Sequence, residues 1–336
     1  MLPMTASSNA SQPVHPSRRF CVAPMMDWTD RHCRFFLRLL SKNALLYTEM
    51  VTTGALLHGD AERFLRHDQT EHPLALQLGG SNPVDLAASA RLAQTAGYDE
   101  VNLNVGCPSD RVQNNLIGAV LMGHPQLVAD CVKAMRDAVS IPVTVKHRIG
   151  INGRDSYEQL CEFVGTVRDA GCTSFTVHAR IAILEGLSPK ENREIPPLRY
   201  DVAARLKQDF PDLEFILNGG IKTLEQCQAH LKTFDGVMLG REAYHNPYLL
   251  ADVDRELFGD SRPPISRAEA LAQMRPYVAA HLRDGGAMHH ITRHVLGLGT
   301  GFPGARKFRQ LLSVDIHKTD DPLGLLDKAG ELLEGR

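Results

Sequence analysis

The chain has 336 residues, of which 43% are hydrophobic and 23% charged, an ordinary composition for a globular protein. Its formal net charge is −2, so no overall field attracts a nucleic acid or a membrane, and either partner would need a local patch. The seven cysteines include no Cys-x-x-Cys pair, which disfavours a disulfide framework or structural zinc site and indicates a reducing, cytoplasmic compartment.

The first 18 residues differ in composition from the rest of the chain. They are polar, rich in serine and proline, and lack the apolar core of a secretory signal. We therefore expect residues 1–18 to form a disordered tail. No later apolar run approaches the ~18 residues that a membrane-spanning helix needs, so no membrane partner is predicted.

Eight short apolar segments follow, and amphipathic helical segments separate them. The apolar segments are mostly continuous rather than alternating, which is typical of parallel strands buried on both faces. They begin at Phe20, Ala44, Pro73, Glu100, Pro142, Ser174, Leu213 and Gly236. Eight strand–helix units predict an α/β fold, a (β/α)8 TIM barrel over residues 19–250. A doubly wound sheet is the alternative, but the even spacing and the absence of Gly-x-Gly-x-x-Gly after the first strand favour a closed barrel.

The pattern changes near residue 260, after which only helical segments are predicted. Residues 260–336 are therefore expected to form a helical bundle appended to the barrel, although Pro276 leaves the start of its first helix open. Seven Lys or Arg residues lie between positions 266 and 310, against only two acidic residues. This excess fits either a polyanion contact or a solvated helix surface. His290 and His294 have the spacing of metal ligands, but no third ligand is evident, so no metal site is predicted.

Polar residues recur where the predicted strands end. Because a barrel of this type carries its active site at the carboxyl ends of its strands, these side chains should surround one cavity. They are Gln77, Asn104, Lys146, His178 and Asn218. Glycine-rich turns follow the last two strands, at Gly219-Gly220 and Gly240-Arg241. Their backbone N–H groups and the arginine predict a phosphate site.

Two kinds of phosphorylated ligand fit the residues at the strand ends. Lys146 could form a Schiff base, as in an aldolase, but Gln77 and Asn104 are unusual neighbours for that role. A flavin mononucleotide fits better. Gln77 could bond the pyrimidine edge of the ring, and Lys146 could stabilise the reduced anion. Cys107, just after the fourth strand, could equally be a small buried residue or a reactive group.

Several segments together identify a family resemblance. "APMMDWTD", "ALQLGG", "VKHRIG", "TVHAR", "NGGI" and "MLGREAY" resemble landmarks of the tRNA-dihydrouridine synthases, and "NVGCPSDRVQNNLIGA" closely matches their signature. "GINGRDSY" and "SPKENREIPPLRY" resemble the A-type bacterial branch. The resemblance covers nearly the whole chain after the N-terminal tail, including the helical C-terminal segment.

The resemblance implies a flavoenzyme that reduces uridines 20 and 20a in the D-loop of tRNA to dihydrouridine. NADPH, or NADH, would reduce FMN, and the target base would be flipped into the barrel mouth. Hydride would pass from flavin N5 to uracil C6, and Cys107, as a neutral acid, would protonate C5. The implied FMN contacts are Pro24, Met25, Met26, Gln77, Lys146, His178, Asn218, Gly219, Gly220, Gly240 and Arg241. Asn104 would contact the base, and the implied tRNA contacts are Lys190, Arg193, Arg306 and Arg309.

Two other functions fit parts of the sequence. The first is a flavin barrel that acts on a small molecule, such as a dihydroorotate dehydrogenase or an ene-reductase. The basic helical segment and the Cys-Pro signature disfavour it. The second is a tRNA-binding module with a vestigial barrel, which the presence of both Lys146 and Cys107 disfavours.

Overall fold

A computed structural model describes residues 15–109 and 116–334. Eight parallel strands form a closed barrel in which each strand pairs with the next and β8 pairs with β1. The strands are β1 Phe20–Val22, β2 Leu45–Thr52, β3 Leu74–Gly79, β4 Glu100–Val105, β5 Val143–Arg148, β6 Ser174–His178, β7 Glu214–Asn218 and β8 Gly236–Leu239. Each strand begins within one residue of the start of a predicted segment. The predicted TIM barrel is confirmed, and the doubly wound alternative is wrong because the sheet closes.

Helices between the strands cover the outside of the barrel. They are α1 Arg31–Leu40, α2 Thr53–His58, α3 Ala61–Leu65, α4 Pro83–Thr95, α5 Pro125–Ala138, α6 Tyr157–Asp169, α7 Tyr200–Asp209 and α8 Leu224–His230. The local sequence explains their ends. Asn82 caps α4 by accepting from the N–H groups of Val84 and Asp85, with Pro83 at the first helical position. Gly97 follows this helix with φ +94°, a conformation that favours glycine.

The inward-facing side chains divide the barrel interior into an apolar and a polar half. The apolar half is a cluster on β1, β2, β3, β7 and β8, comprising Cys21, Ala23, Leu45, Tyr47, Ala75, Ile216 and Met238. Strand β4 contributes to the polar half, because its alternation directs Glu100, Asn102 and Asn104 inward and its three valine and leucine residues outward against the helices. All three polar residues are buried.

The predicted N-terminal tail is only partly described. Residues 1–14 lie outside the described residues. Arg18, which belongs to the predicted tail, is buried and forms ion pairs with Glu100 and Glu214 at 2.7 and 3.0 Å. The chain is therefore anchored to the barrel two residues before β1 begins.

Six α-helices follow β8 in the described part of the chain, and the four that lie beyond residue 260 confirm the predicted helical C-terminal segment. They are α9 Arg241–His245, α10 Val253–Phe258, α11 Arg267–Arg283, α12 His289–Val295, α13 Ala305–Ser313 and α14 Pro322–Leu333. Helix α11 runs through Pro276 without a break, and it starts after Ser266, whose side chain accepts from the N–H of Glu269. The proposed boundary between the barrel and this segment, between residues 250 and 260, stays a prediction.

One acidic residue joins the C-terminal helices to the barrel. Asp30 caps α1 by accepting from the N–H groups of His32 and Cys33, and its second oxygen accepts from Arg293 and His294 of α12 at 2.7 and 3.0 Å. His294 is buried at this joint, whereas His290 is exposed. The joint lies directly after the β1–α1 loop, so α12 supports a loop at the barrel mouth.

Over residues 15–109 and 116–334, no helix combines the length and the apolar character that crossing a membrane requires.

Candidate active site

The residues predicted at the strand ends surround one end of the barrel. In the strand register, Asn104 of β4 is opposite Lys146 of β5, and His178 of β6 is opposite Asn218 of β7. Gln77 of β3 joins this group through a hydrogen bond at 2.8 Å from the Asn104 amide to its side-chain oxygen. All eight strands are parallel, so their carboxyl ends form a single rim. The five side chains therefore face one mouth.

The turn after β7 is built so that only glycine fits. Gly219 and Gly220 have φ values of +112° and +74°. A Cβ atom on Gly219 would lie 2.6 Å from His178 Cδ2, and one on Gly220 would lie 2.4 Å from Leu198 Cδ1. The Tyr200 hydroxyl donates to the Gly219 carbonyl at 2.6 Å and holds the turn in place. Such a turn lets an anionic group approach backbone N–H groups closely.

The turn after β8 lies next to the loop that follows β1. A Cβ atom on Gly240 would lie 3.6 Å from Met25 Sδ, an ordinary contact, so the two turns pack against each other. Met25 is partly buried and Met26 is 56% exposed. Arg241 starts α9, and its guanidinium pairs with Glu194 at 2.5 Å.

The electrostatics of the rim favour an anionic ligand. Within the residues that the structure describes, Lys146 Nζ has no hydrogen bond or ion pair. Burial, together with nearby Arg148 and Arg193, lowers the pKa of Lys146 to about 8. Burial and the same cations also hold the pKa of His178 well below its ordinary value, so this imidazole is neutral. An unpaired cation in a poorly solvated position is costly until a negative group approaches it.

Cys107 is partly exposed and lies in a turn that is fixed from two sides. The backbone N–H groups of Gly106 and Cys107 donate to the Asn104 side-chain oxygen at 3.1 and 3.0 Å. The Cys107 carbonyl accepts from the N–H of Ala119 at 2.8 Å. Gly118, with φ +84°, allows this approach, because a Cβ there would lie 2.4 Å from the Cys107 oxygen. The backbone of the residue that carries the thiol is thus held in place by its neighbours.

Arg148 is a residue of the site to which the sequence assigned no role. Its guanidinium donates to the carbonyls of Gly106, Ile181 and Asn192 at 3.0, 3.1 and 2.9 Å. It therefore ties the Cys107 turn to the loop after β6. The available signal was its position two residues after Lys146, which puts both side chains on the same face of β5.

The residues predicted to contact tRNA lie on two different elements. Lys190 precedes a short 3-10 turn, Glu191–Arg193, in the loop after β6, and Arg193 ends that turn. Asn192 within it is fully buried and anchors the loop through bonds to the backbone of Ile183. Arg306 and Arg309 are exposed on α13, in the C-terminal helices.

Comparison with known proteins identifies the family. A family model described as "Dihydrouridine synthase (Dus)" matches residues 21–331. The chain belongs to the dihydrouridine synthase family. The resemblance seen in the sequence and the prediction of an enzyme are therefore confirmed.

Similar proteins match over almost the whole chain. A Pseudomonas putida protein named tRNA-dihydrouridine(20/20a) synthase is 78% identical over 99% of both chains. The Escherichia coli K12 protein of the same name is 60% identical over 95% of this chain and 93% of its own. These names agree with the predicted A-type branch.

A solved structure supports the fold. The old yellow enzyme homologue from Zymomonas mobilis superposes with a TM-score of 0.52 and 14% identity, over 73% of this chain and 89% of that chain. At this identity the likeness concerns the barrel fold alone.

Proposed function

We propose that this enzyme reduces uridines 20 and 20a of tRNA to dihydrouridine, with FMN as its bound cofactor and NADPH or NADH as the reductant. The unpaired Lys146 amine, between the glycine turn after β7 and the Cys107 turn, is the observation that carries the proposal. The names of the relatives support the substrate and the two positions. The residues at positions 19–250 would bind the flavin, and those at 260–336 would meet the tRNA.

Three features of the mouth fit a flavin mononucleotide. Its phosphate would contact the backbone of Gly219 and Gly220, where a side chain would collide with neighbouring atoms. Lys146 would supply a positive charge to the electron-rich edge of the ring, and Met25, beside Gly240, would pack on its face. When bound, FMN would take a hydride from the nicotinamide and pass it to uracil C6.

Cys107 would supply the proton that completes the reduction. A hydride at C6 leaves C5 to be protonated, and one S–H group delivers one proton. The bonds of the turn fix the backbone from which the Cys107 thiol projects, which favours a directed proton donor.

Binding of tRNA would combine a backbone contact with insertion of one base. Lys190 and Arg193 lie in the loop that Arg148 ties to the Cys107 turn, so phosphate contacts there would be made close to the mouth. Arg306 and Arg309 would add phosphate contacts farther along the tRNA. The target base has to leave its stack to reach the mouth.

We also propose the cytoplasm as the compartment in which the enzyme acts. All seven cysteines lie within the described residues, and all are free thiols. Free thiols persist where glutathione and thioredoxin keep them reduced.

The proposal is tested with the purified protein and tRNA from a strain that lacks this gene. Wild type should be yellow and should convert uridines 20 and 20a to dihydrouridine, as measured by mass spectrometry of tRNA fragments. Cys107→Ala should keep flavin and tRNA binding but lose most of the conversion. Turnover of small enones or dihydroorotate without any change to tRNA would refute the proposal.

A further inference from the structure

A continuous chain of side-chain hydrogen bonds crosses the barrel interior. It starts at the ion pair between Arg18 and Glu100 and ends at the backbone of the Cys107 turn. Its successive bonds are Thr144 to Glu100 at 2.5 Å, Asn102 to Thr144 at 2.9 Å, Gln77 to Asn102 at 2.9 Å and Asn104 to Gln77 at 2.8 Å. The last link joins the Asn104 oxygen to the N–H groups of Gly106 and Cys107. Every side chain in it is at least nine-tenths buried.

The two ends of this chain determine the direction of every bond in it. Glu100 lies against the Arg18 guanidinium, which can only donate, and its other oxygen accepts from the Tyr47 hydroxyl at 2.7 Å. Thr144 must therefore donate its single proton to Glu100, which leaves its oxygen free only to accept. The Asn102 amide nitrogen must then face Thr144.

The same reasoning continues to the mouth. With its nitrogen on Thr144, Asn102 presents its oxygen to Gln77, so the Gln77 nitrogen faces Asn102 and its oxygen faces Asn104. The Asn104 oxygen is then directed at the turn, where the N–H groups of Gly106 and Cys107 donate to it. Both ends require the same orientation for all three amides, and the low-dielectric interior makes a reversed amide costly.

We propose that Thr144 and Asn102 are positioning residues that act on the Cys107 turn and on the Gln77 amide through this chain. They touch neither ligand. They hold Asn104 so that its oxygen clamps the turn, and they leave Gln77 one free N–H to offer at the mouth. The part that concerns Gln77 rests on the proposed flavin, whereas the part that concerns Cys107 does not.

Two substitutions at Thr144 separate an interrupted chain of hydrogen bonds from an intact one. Thr144→Val keeps the shape of the side chain but removes the hydroxyl that connects Glu100 to Asn102. Thr144→Ser keeps that hydroxyl and should restore the wild-type behaviour. Tyr47→Phe is the control, because it also removes a buried hydrogen bond to the same oxygen of Glu100 but leaves every link of the chain intact.

The first measurement is the alkylation rate of Cys107 in the purified protein, quantified by mass spectrometry of its peptide. Thr144→Val should raise this rate about threefold or more, because Asn104 no longer clamps the turn. Tyr47→Phe and Thr144→Ser should stay near wild type. Urea unfolding of each variant provides the stability against which the rates are compared.

The second measurement is the dissociation constant of FMN, followed by the visible absorption of the flavin. Thr144→Val should weaken binding about fivefold, as expected for one misdirected hydrogen bond worth about 1 kcal/mol. Equal effects of Thr144→Val and Tyr47→Phe on both measurements would overturn the inference. If Thr144→Val does not fold, Asn102→Leu is measured against the same control with the same expected outcomes. A wild-type protein that binds no FMN would refute the proposed function, while the alkylation rates would still decide the role of the chain.

Discussion

Replacement of Lys146 by methionine should stabilise the flavin-free protein while it destroys the flavin site. The Lys146 amine is partly buried, and within the described residues it has no partner that compensates its charge. Methionine has a similar length and no charge, so it removes the cost of holding the cation there. The variant should be more stable than the wild type at neutral pH and should bind FMN much more weakly.

The expected gain in the free energy of unfolding follows from the pKa of Lys146. Its folded value is about 8, against an ordinary value of 10.5. Each unit of this difference corresponds to about 1.4 kcal/mol, which sets an upper limit of about 3 kcal/mol on the gain at pH 7. The unfolded chain holds the proton up to a higher pH than the folded protein does, so the cost is fully present below pH 8. It declines as the pH rises toward 10.5.

The assay is urea unfolding of flavin-free wild type and Lys146→Met at pH 7 and pH 9.5. The advantage of the variant should shrink by about 2 kcal/mol between the two pH values, because the folded wild type has by then lost its proton. Lys133→Met, on an exposed position of α5, provides the control and should show no such change. A Lys146→Met variant that is less stable than wild type at pH 7, or whose advantage does not depend on pH, would refute this reasoning.

Three further predictions concern the tRNA surface, the joint between barrel and helices, and the glycine turn. Arg306→Ala combined with Arg309→Ala should weaken tRNA binding and reduce the slope of log affinity against log salt by about 1.5, at roughly 0.7 to 0.9 per lost phosphate contact. Asp30→Asn keeps the cap of α1 but removes the charge that faces Arg293, so it should lower the free energy of unfolding by about 1 to 2 kcal/mol at pH 7. His294 and the other donors hold the pKa of Asp30 below its ordinary value of 3.8, so this difference should persist above pH 4 and decrease at lower pH. Gly220→Ala should weaken FMN binding more than about tenfold, because the new methyl group would meet Leu198 and Tyr200.

Each of these predictions has a matched control. For the arginine pair the control is Arg91→Ala combined with Lys133→Ala on the outer barrel helices. An equal loss of the salt dependence of tRNA binding in this control would show that the arginines of α13 are only solvated surface. For Asp30 it is Asp60→Asn, which caps the short helix α3 without a long-range ion pair. For Gly220 it is Gly186→Ala, which has φ +82° but no atom within 4 Å of the added carbon. Similar losses in variant and control would contradict the structural reason in each case.

The barrel could be predicted from sequence because its signals are local and repeated. Eight apolar segments and the caps between them each mark one strand or helix, and closure follows from their number and even spacing. Pro276 shows the limit of such signals. It disfavours a helix locally, yet packing of α11 against α1 and α14 maintains the helix through it.

The mouth could be predicted for the same reason, since parallel strands bring their ends together whatever their order in the chain. Sequence alone could not predict the contacts of Arg148 or the bonds between Thr144, Asn102 and Gln77. They join residues that lie 25 to 44 positions apart, and they depend on which side chains face inward at one height of the barrel. The alternation of Asn102 and Asn104 on β4 was the one available hint, and it is hidden because that strand is buried on both faces.

Some polar groups of the site have all their hydrogen bonds within the protein, and others do not. This difference separates residues that support the site from residues that would act on a ligand. Glu100, Thr144 and Asn102 satisfy one another, as stable buried polar groups must. Lys146, in contrast, has no partner for its charge within the described residues, and the turn after β7 holds two glycines at positive φ, both at a cost to the folded chain. The proposed flavin, with its phosphate and electron-rich ring edge, would offset both costs together, so its binding should stabilise this fold more than its contact area alone would suggest.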